Sequence, residues 1–124
     1  MRILLAEDEM ALSKALVTIL ERNNYSVDPV YDGQAALAYA ESGNYDGMVL
    51  DIMMPKMDGY KATCEIRNLQ DKAKACIPIV AITANAFEED KKMAMEAGMN
   101  GHISKPIDVN VLDDQIINIF KKVS

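Results

Sequence analysis

Short apolar runs alternate five times with longer stretches of helical hydrophobic period, and that alternation is what most limits the fold of this 124-residue chain. A run that is apolar on both sides suits a strand covered by helices on each face of a parallel sheet, and parallel neighbours need a crossover connection, usually helical. The pattern therefore reads (βα)5, an α/β doubly wound sheet of five parallel strands. The second strand, over Tyr25 to Tyr31, contains Pro29, which cannot donate to a ladder and so belongs at a sheet edge. An outermost second strand gives the flavodoxin-like order 2-1-3-4-5.

Along the chain the first strand covers Arg2 to Ala6, and the first helix carries the stripe Leu12, Leu16, Ile19 and Leu20 before ending near Asn23-Asn24. Asp32 is the expected N-cap of a helix over Gly33 to Ser42, with Gly43 at its C′ position. A third strand runs from Gly47 into Asp51, and Asp58 caps a third helix whose inward stripe is Ala62, Ile66 and Leu69, followed by a polar exit over 68–74. The fourth strand spans Ile77 to Ile82 and Thr83 ends it. The fourth helix, Phe87 to Ala97, has the weakest apolar stripe of the five and is a candidate moving part, stopped by Gly98. A short strand from Gly101 to Ser104 leads through Lys105-Pro106 to a last helix capped by Asp108, with Leu112, Ile116, Ile119, Phe120 and Val123 on one side.

This length suits one domain over 1–124. No apolar run approaches membrane-spanning length and Met1-Arg2 leads straight into a strand, so the expectation is a cytoplasmic protein without membrane contact. A net charge of −6 argues against direct nucleic-acid binding, which wants a basic patch. Cys64 and Cys76 stand in no metal-binding or redox spacing and are read as reduced thiols.

In an open parallel sheet, ligands bind outside the carboxyl ends of the strands. Those ends hold Glu7 and Asp8, Asp51, Thr83 and Lys105: three carboxylates, a hydroxyl and an ammonium. Crowded carboxylates either raise their pKa values or recruit a cation, and an all-oxygen set selects a hard ion such as Mg²⁺. The Lys and Thr donors suit a ligand with several anionic oxygens, and a phosphoryl group fits. Carboxylates follow the first strand where a glycine-rich phosphate loop would stand, which argues against a nucleotide. A carboxylate can itself attack phosphorus to give an aspartyl phosphate.

With these residues in place, the chain resembles the receiver domain of two-component response regulators over essentially its whole length, most of all the receivers of hybrid histidine kinases. The resemblance rests on the Glu7-Asp8 pair, Asp51 in D-x-x-M-P-x-M-D-G, Thr83-Ala84 after the fourth strand and Lys105-Pro106 after the fifth. It implies that Asp51 accepts a phosphoryl group from the phosphohistidine of a histidine kinase or a histidine phosphotransfer protein. Asp8, Asp51 and the Met53 carbonyl would ligate Mg²⁺, with Glu7 acting on the metal through water. Thr83, Lys105 and the Ala84 backbone would contact the phosphoryl oxygens. Lys105-Pro106 is the expected cis bond, and an output domain or downstream protein would read the face of the fourth helix, fifth strand and fifth helix. Two positions depart from the common pattern. Glu7 stands where many members have Asp, and His102 stands where Tyr or Phe is common, which makes His102 a candidate switch residue with simple packing as its other reading.

Two rival readings carry their own marks. A Mg²⁺-dependent phosphatase working through an aspartyl phosphate would normally place a second acid two residues after the nucleophile, and that position is Met53. A constitutive docking module would show no change of its surface when Asp51 is modified.

Overall fold

The computed structural model describes residues 1–84 and 88–121, the side chains of Phe120 and Lys121 excepted. Its five strands are β1 (Arg2–Ala6), β2 (Ser26–Val30), β3 (Gly47–Asp51), β4 (Ile79–Thr83) and β5 (Gly101–Ser104), all parallel and in the order β2-β1-β3-β4-β5. Pro29 does lie on the edge strand β2, where its missing N–H breaks no inner ladder. β3 and β4 are buried at every residue, as central strands covered on both faces should be.

Helices α1 (Met10–Arg22), α2 (Gly33–Ser42), α3 (Gly59–Arg67), α4 (Lys72–Ala75), α5 (Glu88–Ala97) and α6 (Val109–Lys121) complete the chain order. On one face of the sheet, α1 and α6 pack Leu16, Leu20, Leu112 and Ile116 over Ile3, Leu5, Val49, Val80, Ile82 and Ile103. On the other, α2, α3 and α5 pack Ala36, Ala40, Ala62, Ile66 and Ala94 over Leu4, Ala6, Met48, Leu50, Ile79 and Ala81. The division follows from strand alternation, which sends successive side chains to opposite layers. No helix among the described residues is long and apolar enough to cross a membrane.

Three expected caps form: Asp32 accepts from the Ala35 N–H, Asp58 from that of Lys61 and Asp108 from that of Asn110. Some details differ from expectation. The polar exit over 68–74 holds a turn of helix, α4, started by Asp71, whose carboxylate accepts from the Ala73 and Lys74 N–H groups. Gly43 ends α2 in an extended conformation (φ −102°), so it is no left-handed C′ residue. Gly98 does adopt positive φ (+101°) after α5. Leu69 follows α3 and is only partly buried, and the strand predicted from Ile77 begins at Ile79. The expectations at Phe87, at the Phe120 side chain and at Val123 lie outside the described residues.

Helix α5 buries Ala94 alone among its residues, yet its carboxyl end is firmly held. The half-buried Arg67 of α3 donates to the Gly98 carbonyl through Nε (3.0 Å) and Nη2 (2.7 Å). Its Nη1 donates to the Ala75 and Ile77 carbonyls, and Nη2 also reaches Asn100 Oδ1. One guanidinium thereby joins α3, the turn after α4 and the Gly98 turn.

Candidate functional site

The strand order brings the ends of β1, β3, β4 and β5 side by side, and the predicted residues meet there. Glu7 follows β1 and is fully buried; its N–H continues the sheet pattern by donating to the Val30 carbonyl (3.1 Å). Asp8, next along, is exposed. Asp51 closes β3 at 1% exposure, and Thr83 closes β4 fully buried. Lys105 follows β5 and reaches inward, its Nζ 3.0 Å from Asp51 Oδ2 and 3.4 Å from Glu7 Oε1. The Lys105-Pro106 bond is cis, as the resemblance implied.

The loop after Asp51 is tightly built. Met53 N–H donates to Asp51 Oδ1 (2.9 Å) and the Gly59 N–H donates to the Ile52 carbonyl (3.1 Å), closing the turn. Within it, Lys56 takes a positive φ of 66°. Gly59 is needed for closeness: a Cβ there would lie 2.6 Å from the Asp51 carbonyl oxygen and 2.7 Å from Ile52 Cα. The Met53 side chain projects into solvent. Beside Asp8 an open cleft of about 680 Å³ is lined by Met53, Met54, Pro55, Asp58 and Tyr60.

The electrostatics are unbalanced. Carboxylate oxygens of Glu7, Asp8 and Asp51 lie within 4.8 Å of one another, and among the described residues the ammonium set against them is that of Lys105. Burial, then the neighbouring Asp51 carboxylate, push the Glu7 pKa up to about 8, and Lys105 only partly opposes this. For Lys105 burial acts downward, but the hydrogen bonds and charges of Asp51 and Glu7 outweigh it and raise its pKa. Among the described residues, Glu7 Oε2 is buried without a hydrogen-bond partner. An orphaned buried carboxylate oxygen beside two further acids is what a small hard cation would relieve, so the donor set fits Mg²⁺.

Thr83 and its surroundings show more than the sequence reading held. Its hydroxyl donates to Ser104 Oγ (3.3 Å) and lies 3.5 Å from the Ile103 carbonyl, Ser104 being its direct partner across the β4–β5 ladder. Ser104 escaped notice because a serine on a short strand carries no motif; only the parallel register sets it against Thr83. Ala84 is exposed at the end of β4. His102 is two residues from Ser104 and does not touch the acids: it lines a separate cleft of about 340 Å³ with Lys91, Ser104, Asp108, Val111 and Gln115. Burial and then Lys91 push its pKa down, with Glu88 opposing. Cys64 and Cys76 are free and exposed.

The comparisons agree with this geometry. The family model of the response regulator receiver domain matches residues 3–117. Hybrid signal transduction histidine kinase I of Dictyostelium discoideum is 36% identical over 120 residues, covering 93% of this chain and 7% of that protein. Response regulator ArlR of Staphylococcus haemolyticus is 36% identical over 120 residues, covering 97% of this chain and 52% of that protein. The chain thus spans about half of the one relative's length and a small fraction of the other's. Among solved structures, the receiver domain of sensor histidine kinase PA1611 from Pseudomonas aeruginosa, with a magnesium ion coordinated in its active-site cleft, superposes with a TM-score of 0.88 at 34% identity over 97% of each chain. A Francisella response regulator receiver domain gives 0.89 at 25% identity, covering 99% of this chain and 98% of that one.

Proposed function

The chain belongs to the response regulator receiver domain family, the phosphoacceptor signalling domain of two-component phosphorelays, and from that premise we propose that Asp51 is its phosphoryl acceptor. The observation that carries the assignment is the position of Asp51: buried at the end of β3, against Lys105 at 3.0 Å and inside the three-carboxylate cluster. Residues 1–124 form one receiver domain in this reading.

One Asp51 carboxylate oxygen attacks the phosphorus of a phosphohistidine, the phosphorus–nitrogen bond breaks, and the imidazole leaves with the bonding electron pair. Lys105 already bridges Asp51 and Glu7, so its ammonium needs only a small shift to meet a phosphoryl oxygen on Asp51. Thr83 offers its hydroxyl from β4 and Ala84 its backbone N–H. The Met53 N–H holds Asp51 Oδ1, which fixes the carboxylate for attack. Asp8, Asp51 and the Met53 carbonyl would hold Mg²⁺, with Glu7 acting on it through water. When bound, the ion neutralises charge gathering on the transferring group. The domain in this reading catalyses only its own phosphorylation and dephosphorylation.

The donor is a histidine kinase or a histidine phosphotransfer protein, entering from the open cleft beside Asp8. The acceptor event draws Thr83 toward the new oxygens and changes the face formed by α5, β5 and α6, which an output domain or downstream protein reads. Such a change is a shift of population driven by contacts present only in the phosphorylated state. His102, in the cleft on that face, is the candidate switch residue there.

Incubation with Mg²⁺ and a small acyl phosphate, followed by intact-mass measurement, is expected to show one base-labile phosphoryl group. The adduct should be absent from Asp51→Asn and should fail to form when the ion is chelated. An adduct that persists in Asp51→Asn would overturn the assignment.

A further inference from the structure

Resting on the reading of Thr83 as a phosphoryl contact, we infer that Ser104 is a positioning residue that holds the Thr83 hydroxyl in its resting arrangement and links the acceptor site to the α5–α6 cleft. Thr83 and Ser104 are register partners on neighbouring strands, so their side chains leave the sheet on the same face and one beside the other. The Thr83 hydroxyl donates to Ser104 Oγ at 3.3 Å, long for a bond between hydroxyls, whose usual separation is about 2.7–2.8 Å. A long neutral bond is readily exchanged for a bond to an anionic oxygen, which is about twice as strong. Buried Thr83 therefore has a resting acceptor that competes with the phosphoryl group on unequal terms.

Ser104 also has a second face. It lines the cleft with Lys91 of α5, His102 of β5 and Gln115 of α6, a surface separate from the acids. His102 and Ser104 are two residues apart on β5 and thus share its side facing α5, as do their partners Ala81 and Thr83 on β4. When Thr83 turns away, the acceptor that loses its donor is a wall of the very cleft that His102 occupies. Coupling of this kind is reciprocal: an occupant of the cleft that engages the Ser104 hydroxyl favours the Thr83 orientation that faces Asp51.

The test measures affinity for beryllofluoride, an aspartyl-phosphate mimic, in the presence of Mg²⁺, for Ser104→Ala, Ser104→Thr, Thr83→Ala and the double variant Ser104→Ala/Thr83→Ala. Loss of one neutral resting hydrogen bond should tighten binding of the mimic by about 3-fold in Ser104→Ala, at the low end for such a bond. Ser104→Thr, which keeps the hydroxyl, should behave as the parent protein. In the Thr83→Ala background the Ser104→Ala gain should vanish, since a merely structural effect of Ser104 would persist there. If Thr83→Ala weakens binding while Ser104→Ala changes nothing, or changes it equally with and without Thr83, the role of Ser104 is wrong and that of Thr83 stands. If Thr83→Ala leaves the affinity unchanged, the reading of Thr83 fails and this inference falls with it.

Discussion

At the amino end of the sheet, Arg2 pairs with Asp28 (2.8 Å), Tyr45 donates its hydroxyl to the same carboxylate (2.7 Å), and the Arg2 N–H meets Asp46 (2.7 Å). The guanidinium also sits 4.8 Å from the centre of the Tyr45 ring. At the carboxyl end, among the described residues, three carboxylates face one ammonium and a buried oxygen of Glu7 has no partner. Both clusters gather side chains from separate chain segments, but the first is half-exposed and each of its polar groups has a partner, while the second is buried and, among the described residues, leaves Glu7 Oε2 without one. A protein that can complete a charged cluster at one end of its sheet has no structural reason to leave the other unfinished. A buried excess of carboxylate is the mark of a site that takes up a cation, whose charge in turn admits an anionic phosphoryl group.

The largest effect is expected from removing Lys105, the ammonium that contacts Glu7 and Asp51. Lys105→Ala takes from the Glu7 and Asp51 carboxyl groups the ammonium that both contact. Phosphoryl acceptance should fall by about 10²-fold or more, the cost of losing a preorganised donor to developing charge. Stability without metal should fall by about 2 kcal/mol, less than for a fully buried pair because the lysine keeps some contact with water. Denaturant unfolding and the rate of adduct formation read the two effects separately.

Adding Mg²⁺ should fill the deficit and raise stability by about 2.7 kcal/mol once the free ion stands near a hundred times its dissociation constant. Asp8→Asn should remove most of that gain, whereas Asp28→Asn at the other end should leave it intact.

The pH dependence separates the two ends further. In the metal-free protein, folded Glu7 binds its proton more tightly than the unfolded chain does, because its pKa rises from 4.5 to about 8. Its contribution to stability is therefore fully present below about 4.5 and is lost as pH rises through about 8. Glu7→Gln should flatten that decline, and Mg²⁺, which wants the carboxylate deprotonated, should bind more tightly as pH rises through the same window. Asp28 carries the opposite sign: the Tyr45 hydroxyl lowers its pKa most, burial pushes it up, and the Arg2 hydrogen bond and charge add to the lowering. Its contribution is thus present above 3.8 and lost on acidification below it.

The smallest effect belongs to the amino end. Tyr45→Phe should cost about 1 kcal/mol by removing one hydrogen bond, with no change in phosphoryl acceptance. A change in acceptance would show that the two clusters are coupled through the strands.

The features legible in the sequence were those whose signals are local. Asp32, Asp58 and Asp108 announce their helices because a cap is read within one turn, and Pro29 places β2 at the edge because proline lacks a donor. The acceptor crevice was legible for a related reason: parallel strands must deliver their carboxyl ends to one side, so residues far apart in the chain meet by topology alone. Helix α4 was hidden because four residues hold too little of a period to detect, and Gly43 misled because a glycine after a helix can serve space as well as a left-handed turn. The latter is its use here, since a Cβ would lie 2.7 Å from the Tyr45 ring. Arg67 and Ser104 could not be read at all, since their partners come from packing and register.

If the carboxylate cluster serves to place a phosphoryl group on one carboxylate, the position of the acyl phosphate shows it. Borohydride reduces an aspartyl phosphate to homoserine, so peptide mapping of the phosphorylated and reduced protein reports the modified residue. Homoserine is expected at position 51 alone, formed only when Mg²⁺ and the phosphodonor are both present. Reduction at Asp8, or at any carboxylate outside the crevice with Asp51 unmodified, would contradict it.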